Sequence, residues 1–358
     1  MLRTCPAKRP IGIIANIPLE RLTMLTGPMS SRRNVLKLAA GAALASGGVI
    51  RSRPARAATR MRVLLNFYPE ASHGYLYQAV ATGIYNKAGL DVEIKPGGPQ
   101  VNGMQLLIGG EVDVVMSAAI TVTSGIERGV PATIIMPSFQ IDPQVLVARP
   151  DVNSIADLKG RKILVTTLGR SSYWLWLKSR FGFTDDQLGA YTGNLQPFIQ
   201  DPKIALGGVI ESEPYNLRRA GVDVKAFLLA KEGYPPYGYP LATLQSTISR
   251  DRDAVKRFVH ASLEGWKSFM ADPTPGLNLL KSVRPEATDD WNAYSIKTLK
   301  DYKFVDGGDA QEQGIGIMTD ERWKKLADFM IEVGIIKPTT DWKAAYTTEF
   351  VKGVGIKL

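Results

Sequence analysis

The sequence predicts an α/β protein of two lobes, each built on a parallel-dominated sheet with helices on both faces, between which the chain crosses twice. Three observations lead there. Short β-type runs alternate with helical patterns from about residue 61 to 139. The same alternation restarts after residue 149, and beyond Tyr239 one further strand gives way to amphipathic helices. A β-α-β-α-β rhythm with short connections is the sequence form of a parallel sheet flanked by helices.

Residues 62–68 (RVLLNFY) form the first strand pattern, and a helical pattern runs from His73 to Gly89. Strand patterns at 91–96 (DVEIKP), 113–118 (DVVMSA) and 132–139 (ATIIMPSF) alternate with helical ones at 100–110 and 121–129. The run 144–149 (QVLVAR) is extended, and the stretch from Ser154 to Val165 reopens the pattern. A helix from about Ser171 to Phe181, a short one at 197–204, the strand 207–211, a helix from Glu213 to Ala220 and the strand 223–230 complete a second unit. The returning strand is 241–247. Helices follow over Asp251 to Met270, Thr274 to Lys281, Thr288 to Tyr302 and Thr319 to Gly334, with apolar residues at i, i+3 and i+4. Thr288-Asp289-Asp290 and Thr319-Asp320-Glu321 place capping and acidic first-turn residues where two of them begin. The expected division is a leader over 1–57, a first lobe over 58–145, a second over 146–239, and a return to the first over 240–358. The crossings are expected near 143–149 and 236–242.

The leader explains the charge. Of the net +10, residues 1–57 carry +9, from ten Lys/Arg against Glu20 alone. The remaining chain is almost neutral, so the basic balance does not point to nucleic acid, and none is expected as a partner. Ser30-Ser31-Arg32-Arg33-Asn34-Val35-Leu36-Lys37, the weakly apolar run from Leu38 to Ile50, and Ala55-Arg56-Ala57 are the three parts of an export signal. The paired arginines point to the twin-arginine route, with mature protein starting near Ala58 and translation at Met29. Read instead as a membrane anchor, the apolar run would span only about 20 Å as a helix, against roughly 30 Å of hydrocarbon. Cys5 is the single cysteine and lies in that leader, so disulfides, thiol catalysis and lipid attachment are not expected of the mature chain. With His73 and His260 as the two histidines, a multi-histidine metal site is excluded and no cofactor is expected.

Two α/β lobes leave a cleft where strand ends and helix N-termini converge. After the first strand the stretch from Asn66 to Tyr77 (NFYPEASHGYLY) brings Asn66, Phe67, Tyr68, Glu70 and His73 to that cleft, unless Phe67 and Tyr75 are core and His73 only a helix cap. Ser117, with Ala118 and Ala119, offers small residues at a helix start, and Gln140 an amide. From the second lobe Gly169, Ser171 and Ser172 form an anion-ready turn, beside which Arg170 is either a contact or a solvated charge. Tyr173 and Trp174 offer stacking faces. In Glu211-Ser212-Glu213-Pro214-Tyr215, Glu213 is either a helix-dipole partner or an acceptor for an aminopyrimidine edge, with Tyr215 beside it.

The segments from Leu65 to Ile94, Leu107 to Ser117, Ser154 to Val165 and Gly207 to Tyr215 resemble the periplasmic binding proteins of the family that holds sulfonate, nitrate and thiamine-precursor binders and a fungal pyrimidine synthase of thiamine biosynthesis. The resemblance implies a type II periplasmic binding protein that closes by hinge motion on a small heteroaromatic and delivers it, as a monomer, to the permease and ATPase of an ABC importer. A sulfonate- or nitrate-type anion is the alternative ligand. Pro69, His73 and the ESEPY segment lean to the thiamine-precursor branch, in which an aromatic residue, here Phe67, stacks on the pyrimidine. Phe67 and Glu70 stand where that branch more usually has tryptophan and asparagine. The fungal enzyme's cysteine cluster is absent, so catalysis is not expected.

Overall fold

The computed structural model describes residues 57–358; the twin-arginine segment and Met29 lie outside the described residues. The first sheet runs in the order β2 (Leu90–Lys95), β1 (Thr59–Leu64), β3 (Val114–Met116), β10 (Gly238–Leu244), β4 (Ala132–Phe139). The second runs β7 (Leu188–Ala190), β6 (Ile163–Val165), β8 (Ala205–Val209), β5 (Gln144–Ala148), β9 (Lys225–Leu228).

In the first sheet β1 pairs parallel with β2 and β3, while β10 is antiparallel to both its neighbours, β3 and β4. In the second, β6 pairs parallel with β7 and β8, while β5 is antiparallel to β8 and β9. Four strands of each sheet therefore share one direction and one opposes them. The opposing strand is in each case the one that has just crossed from the other lobe. It enters its sheet from the cleft, where the other strands end, and must run away from it.

The first crossing is the segment 140–143 and the second spans 229–237, each slightly earlier than the sequence suggests. Gln144 and Val145 pair with β8 and belong to the second sheet, and Gly238 and Tyr239 already belong to β10. An apolar run of five looks the same on either side of a hinge, and only its pairing assigns it. The helical pattern after the first strand is broken at Gly83, which takes φ 69 and separates the helices Gly74–Ala81 and Ile84–Lys87. The three-residue β7, Leu-Gly-Ala, escapes a periodicity reading because it is too short to show one. The returning strand is set earlier than 241–247, and Gln245–Arg250 is helical.

The C-terminal helices begin where their caps say. Thr288 accepts a hydrogen bond from the Trp291 N–H, and Thr319 accepts one from Arg322. Helix Gly74–Ala81 packs on Arg252–Ala271 and Thr274–Val283, with Tyr75 stacked on Trp266 at 4.3 Å between ring centres. Tyr75 is therefore core. Both β4 and β8 are buried along their full length, as expected of strands covered on both faces. No helix among the described residues is long and apolar enough to cross a membrane.

Candidate functional site

The chain leaves β1 at Leu65 and must turn sharply before the helix Gly74–Ala81. Glu70 stops it in an extended conformation and heads the turn Ala71–His73 in a reciprocal capping arrangement. In it, the Glu70 N–H donates to His73 Nδ1 at 3.1 Å. Because Nδ1 accepts, the ring proton sits on Nε2, which donates to Asn66 Oδ1 at 2.8 Å. Burial, and then the charge of Arg284, push the His73 pKa down to about 3, so the ring is neutral. Expected in the cleft, His73 is instead a positioning residue: it orients the Asn66 amide and does not line the cavity.

That cavity, about 620 Å³ with its mouth, lies between the two sheets. Of the residues expected there, Asn66, Phe67, Glu70, Ser117, Gly169, Ser172, Tyr173 and Glu213 line it. Phe67 and Tyr191 face each other from opposite lobes, with ring centres 6.3 Å apart and planes 16° from parallel. Glu213 accepts from the Val209 N–H at 2.7 Å and from the Tyr191 hydroxyl at 3.1 Å. Two glycines of β8 make room for these side chains. A Cβ on Gly207 would stand 2.0 Å from the Tyr173 hydroxyl, and one on Gly208 2.5 Å from the Glu213 carboxylate. Glu70 pairs with Arg284 at 3.0 Å and accepts from Ser212 of the second lobe at 3.3 Å.

Five expected contacts lie elsewhere. Tyr68 is exposed at the rim under the Arg284 guanidinium. Gln140 is buried behind the hinge, donating to Ile317 O at 2.9 Å, while its own carbonyl accepts from Arg322 at 2.8 Å. Tyr215 stacks on Tyr294 at 4.8 Å, away from the cavity. Ser171 faces the adjoining groove and holds Thr121 of the other lobe at 2.9 Å. His73 is the fifth. Trp174, with its indole N–H on Asp185, belongs to the second lobe's interior.

The amides of the supposed anion turn are already engaged. Gly169 donates to Thr166 Oγ1, Arg170 to Thr166 O, Ser171 to Leu168 O and Ser172 to Gly169 O.

The crossings contribute what sequence reasoning missed: Asp142 from the first, Tyr234 and Tyr239 from the second, together with Tyr191 after β7. The dense run Tyr234-Pro235-Pro236-Tyr237-Gly238-Tyr239 was the available signal. Tyr239, at φ 47, is one of two non-glycine residues in the described chain with positive φ, and it stacks near His73. Burial pushes Asp142 up to about 7 against a single backbone N–H from Gln144. Burial, and then the nearby Glu70, push Glu213 up to about 7. Behind the wall Glu211 is fully buried, neither carboxylate oxygen has a hydrogen-bond partner, and burial raises its pKa well above the carboxylate range. The lining thus carries three carboxylates, Glu70, Asp142 and Glu213, and among its described residues no Lys or Arg.

The family model described as NMT1/THI5 like matches residues 70–275, more than half of the chain. The chain belongs to this family. Two curated relatives of this NMT1/THI5-like chain are the riboflavin-binding protein RibY of Chloroflexus aurantiacus and the formylaminopyrimidine-binding protein of Halalkalibacterium halodurans. The first is 24% identical over 82% of this chain and 86% of its own length. The second is 24% identical over 63% of this chain and 71% of its own. Among solved structures, a Candida albicans protein described as having the generic periplasmic binding protein fold matches with a TM-score of 0.59. It is 18% identical, with 81% of this chain and 96% of that one covered. The two-lobed periplasmic binding protein fold expected from sequence is the one observed.

Proposed function

We propose that this chain is the solute-binding component of an ABC importer, exported to the periplasm through its twin-arginine leader, and that it captures a small heteroaromatic whose edge bears hydrogen-bond donors. The observation that carries this reading is the combination of a facing aromatic pair, Phe67 and Tyr191, with three buried carboxylates and no lining cation. A planar ring stacks on such faces, and an aminopyrimidine or flavin edge donates to carboxylates. The relatives named for riboflavin and formylaminopyrimidine binding agree with it. Asn66, its oxygen held by His73, keeps its amide N–H groups for the ligand. A sulfonate or nitrate would meet repulsion from Glu213 and Asp142 and find the Gly169–Ser172 amides already used.

Binding rather than catalysis is the proposed activity, and the relatives' names point the same way. Lobe closure is the proposed motion. In the present conformation the lobes touch through Thr121 on Ser171, Ser212 on Glu70 and the Gln100 amide on Tyr191 O at 2.7 Å. The test is to purify the protein from periplasm, denature it and identify the released small molecule by mass spectrometry. A heteroaromatic is expected; stoichiometric release of a sulfonate instead would overturn the reading.

A further inference from the structure

A groove adjoins the aromatic cavity and has no assigned role. It is larger, about 900 Å³ against about 620 Å³ with mouths included, and runs outward between the helix Gly103–Ile108 and the second-lobe turn at Thr167 to Ser171. The two spaces are continuous, because Asn66, Ser117 and Leu168 line both.

Their chemistry is opposite. The cavity is lined by three carboxylates; the groove has none among its described lining residues and carries Arg128. Arg128 makes no ion pair or side-chain hydrogen bond among the described residues. Between these ends the groove is apolar, with Leu65, Val101, Met104 and Ile108 along it, and Val101 and Ile108 remain exposed. At the junction stands Ser117, 2% exposed, whose hydroxyl has no hydrogen-bond partner. A buried hydroxyl without a partner costs on the order of 1–3 kcal/mol, which a ligand passing that point can relieve.

We infer that the ligand is bipartite: a donor-edged ring in the carboxylate-lined cavity, joined past Ser117 to an acyclic chain that lies in the groove and ends in an anionic group at Arg128. The inference rests on the ring-binding reading above and adds the class of substituent. Carboxylates at one end and a guanidinium at the other set the ligand's direction as well as its polarity. An apolar mid-section excludes water from the chain, which strengthens the contact at each polar end.

The test is calorimetric titration with two series, each of a bare ring, the ring with a hydroxylated chain, and the same chain phosphorylated: lumichrome, riboflavin and flavin mononucleotide; an aminopyrimidine, thiamine and thiamine monophosphate. In the series whose ring binds, the phosphorylated member is expected to bind at least tenfold tighter than the bare ring. Val101→Trp, or Gln105→Trp should the first variant fold poorly, fills the groove and should erase that gain while leaving bare-ring affinity within threefold. Arg128→Gln should remove the increment due to phosphate alone. Equal affinity across a binding series, or a gain that survives both tryptophan variants, overturns the inference and leaves the ring reading intact. Failure of every ring to bind overturns the ring reading itself, and the inference with it.

Discussion

Replacing Glu213 by glutamine separates a ligand contact from a structural prop. The carboxylate sits between the Val209 N–H at 2.7 Å and the Tyr191 hydroxyl at 3.1 Å, so glutamine keeps the shape. Its oxygen must stay on Val209, which turns the amide nitrogen towards Tyr191, and Tyr191 must then accept. A donor-edged ring loses a charged acceptor, a cost of about 1–2 kcal/mol, or roughly 5- to 30-fold in affinity. Stability should move the other way at high pH. The folded-state pKa of Glu213 is raised from 4.5 to about 7, so between those values the unfolded chain gives up its proton and the folded one holds it. Stability is therefore highest below about pH 4.5 and falls as pH rises to about 7, by at most about 3 kcal/mol from this group. Glutamine cannot titrate, so the variant should melt up to about 5 °C higher than the parent at pH 8, with no such gain at pH 4. The assay is calorimetry with one aminopyrimidine and one sulfonate, beside thermal melts at both pH values. For the sulfonate the variant should bind more tightly. If the variant binds the pyrimidine like the parent and melts lower at every pH, Glu213 is a strand-end prop and the electrostatic account of the cavity is wrong.

Other outcomes follow from neighbouring contacts. Phe67→Ala should weaken ring binding by roughly 1–3 kcal/mol with little loss of stability, because Phe67 is only half-buried; a lower melting temperature with unchanged affinity would make it core. Arg284→Met leaves Glu70 buried without its cation and should lower stability by about 3 kcal/mol at pH 8 in chemical denaturation, less at pH 5, where Glu70 takes up a proton. Small-angle scattering should show a smaller radius of gyration with ligand than without, and an unchanged profile at saturation would argue for a rigid cavity. Arg32→Lys with Arg33→Lys should leave precursor in the cytoplasm; normal periplasmic accumulation would remove the twin-arginine proposal.

The sequence alone was enough to establish two α/β lobes and a return to the first, because strand and helix periods are local and each sheet's apolar runs are long enough to show them. It also marked the strand ends that line the cavity, such as Phe67 and Glu213, since in a parallel sheet the loop after a strand points to the cleft. What it could not decide depends on distance across the fold. His73 and Phe67 lie six residues apart in one stretch, yet one is buried behind the other, and only the bonds to Glu70 and Asn66 reveal which is support. Gln140 and Asp142 are neighbours on one crossing, but the first turns to Ile317 and the second to the cavity. The carboxylates are scattered over seventy and more positions, so their convergence, and with it the argument against an anion, exists only once the two sheets face each other. Burial, which raises the pKa of Glu213 and lowers that of His73, is a property of that closure and of no local stretch.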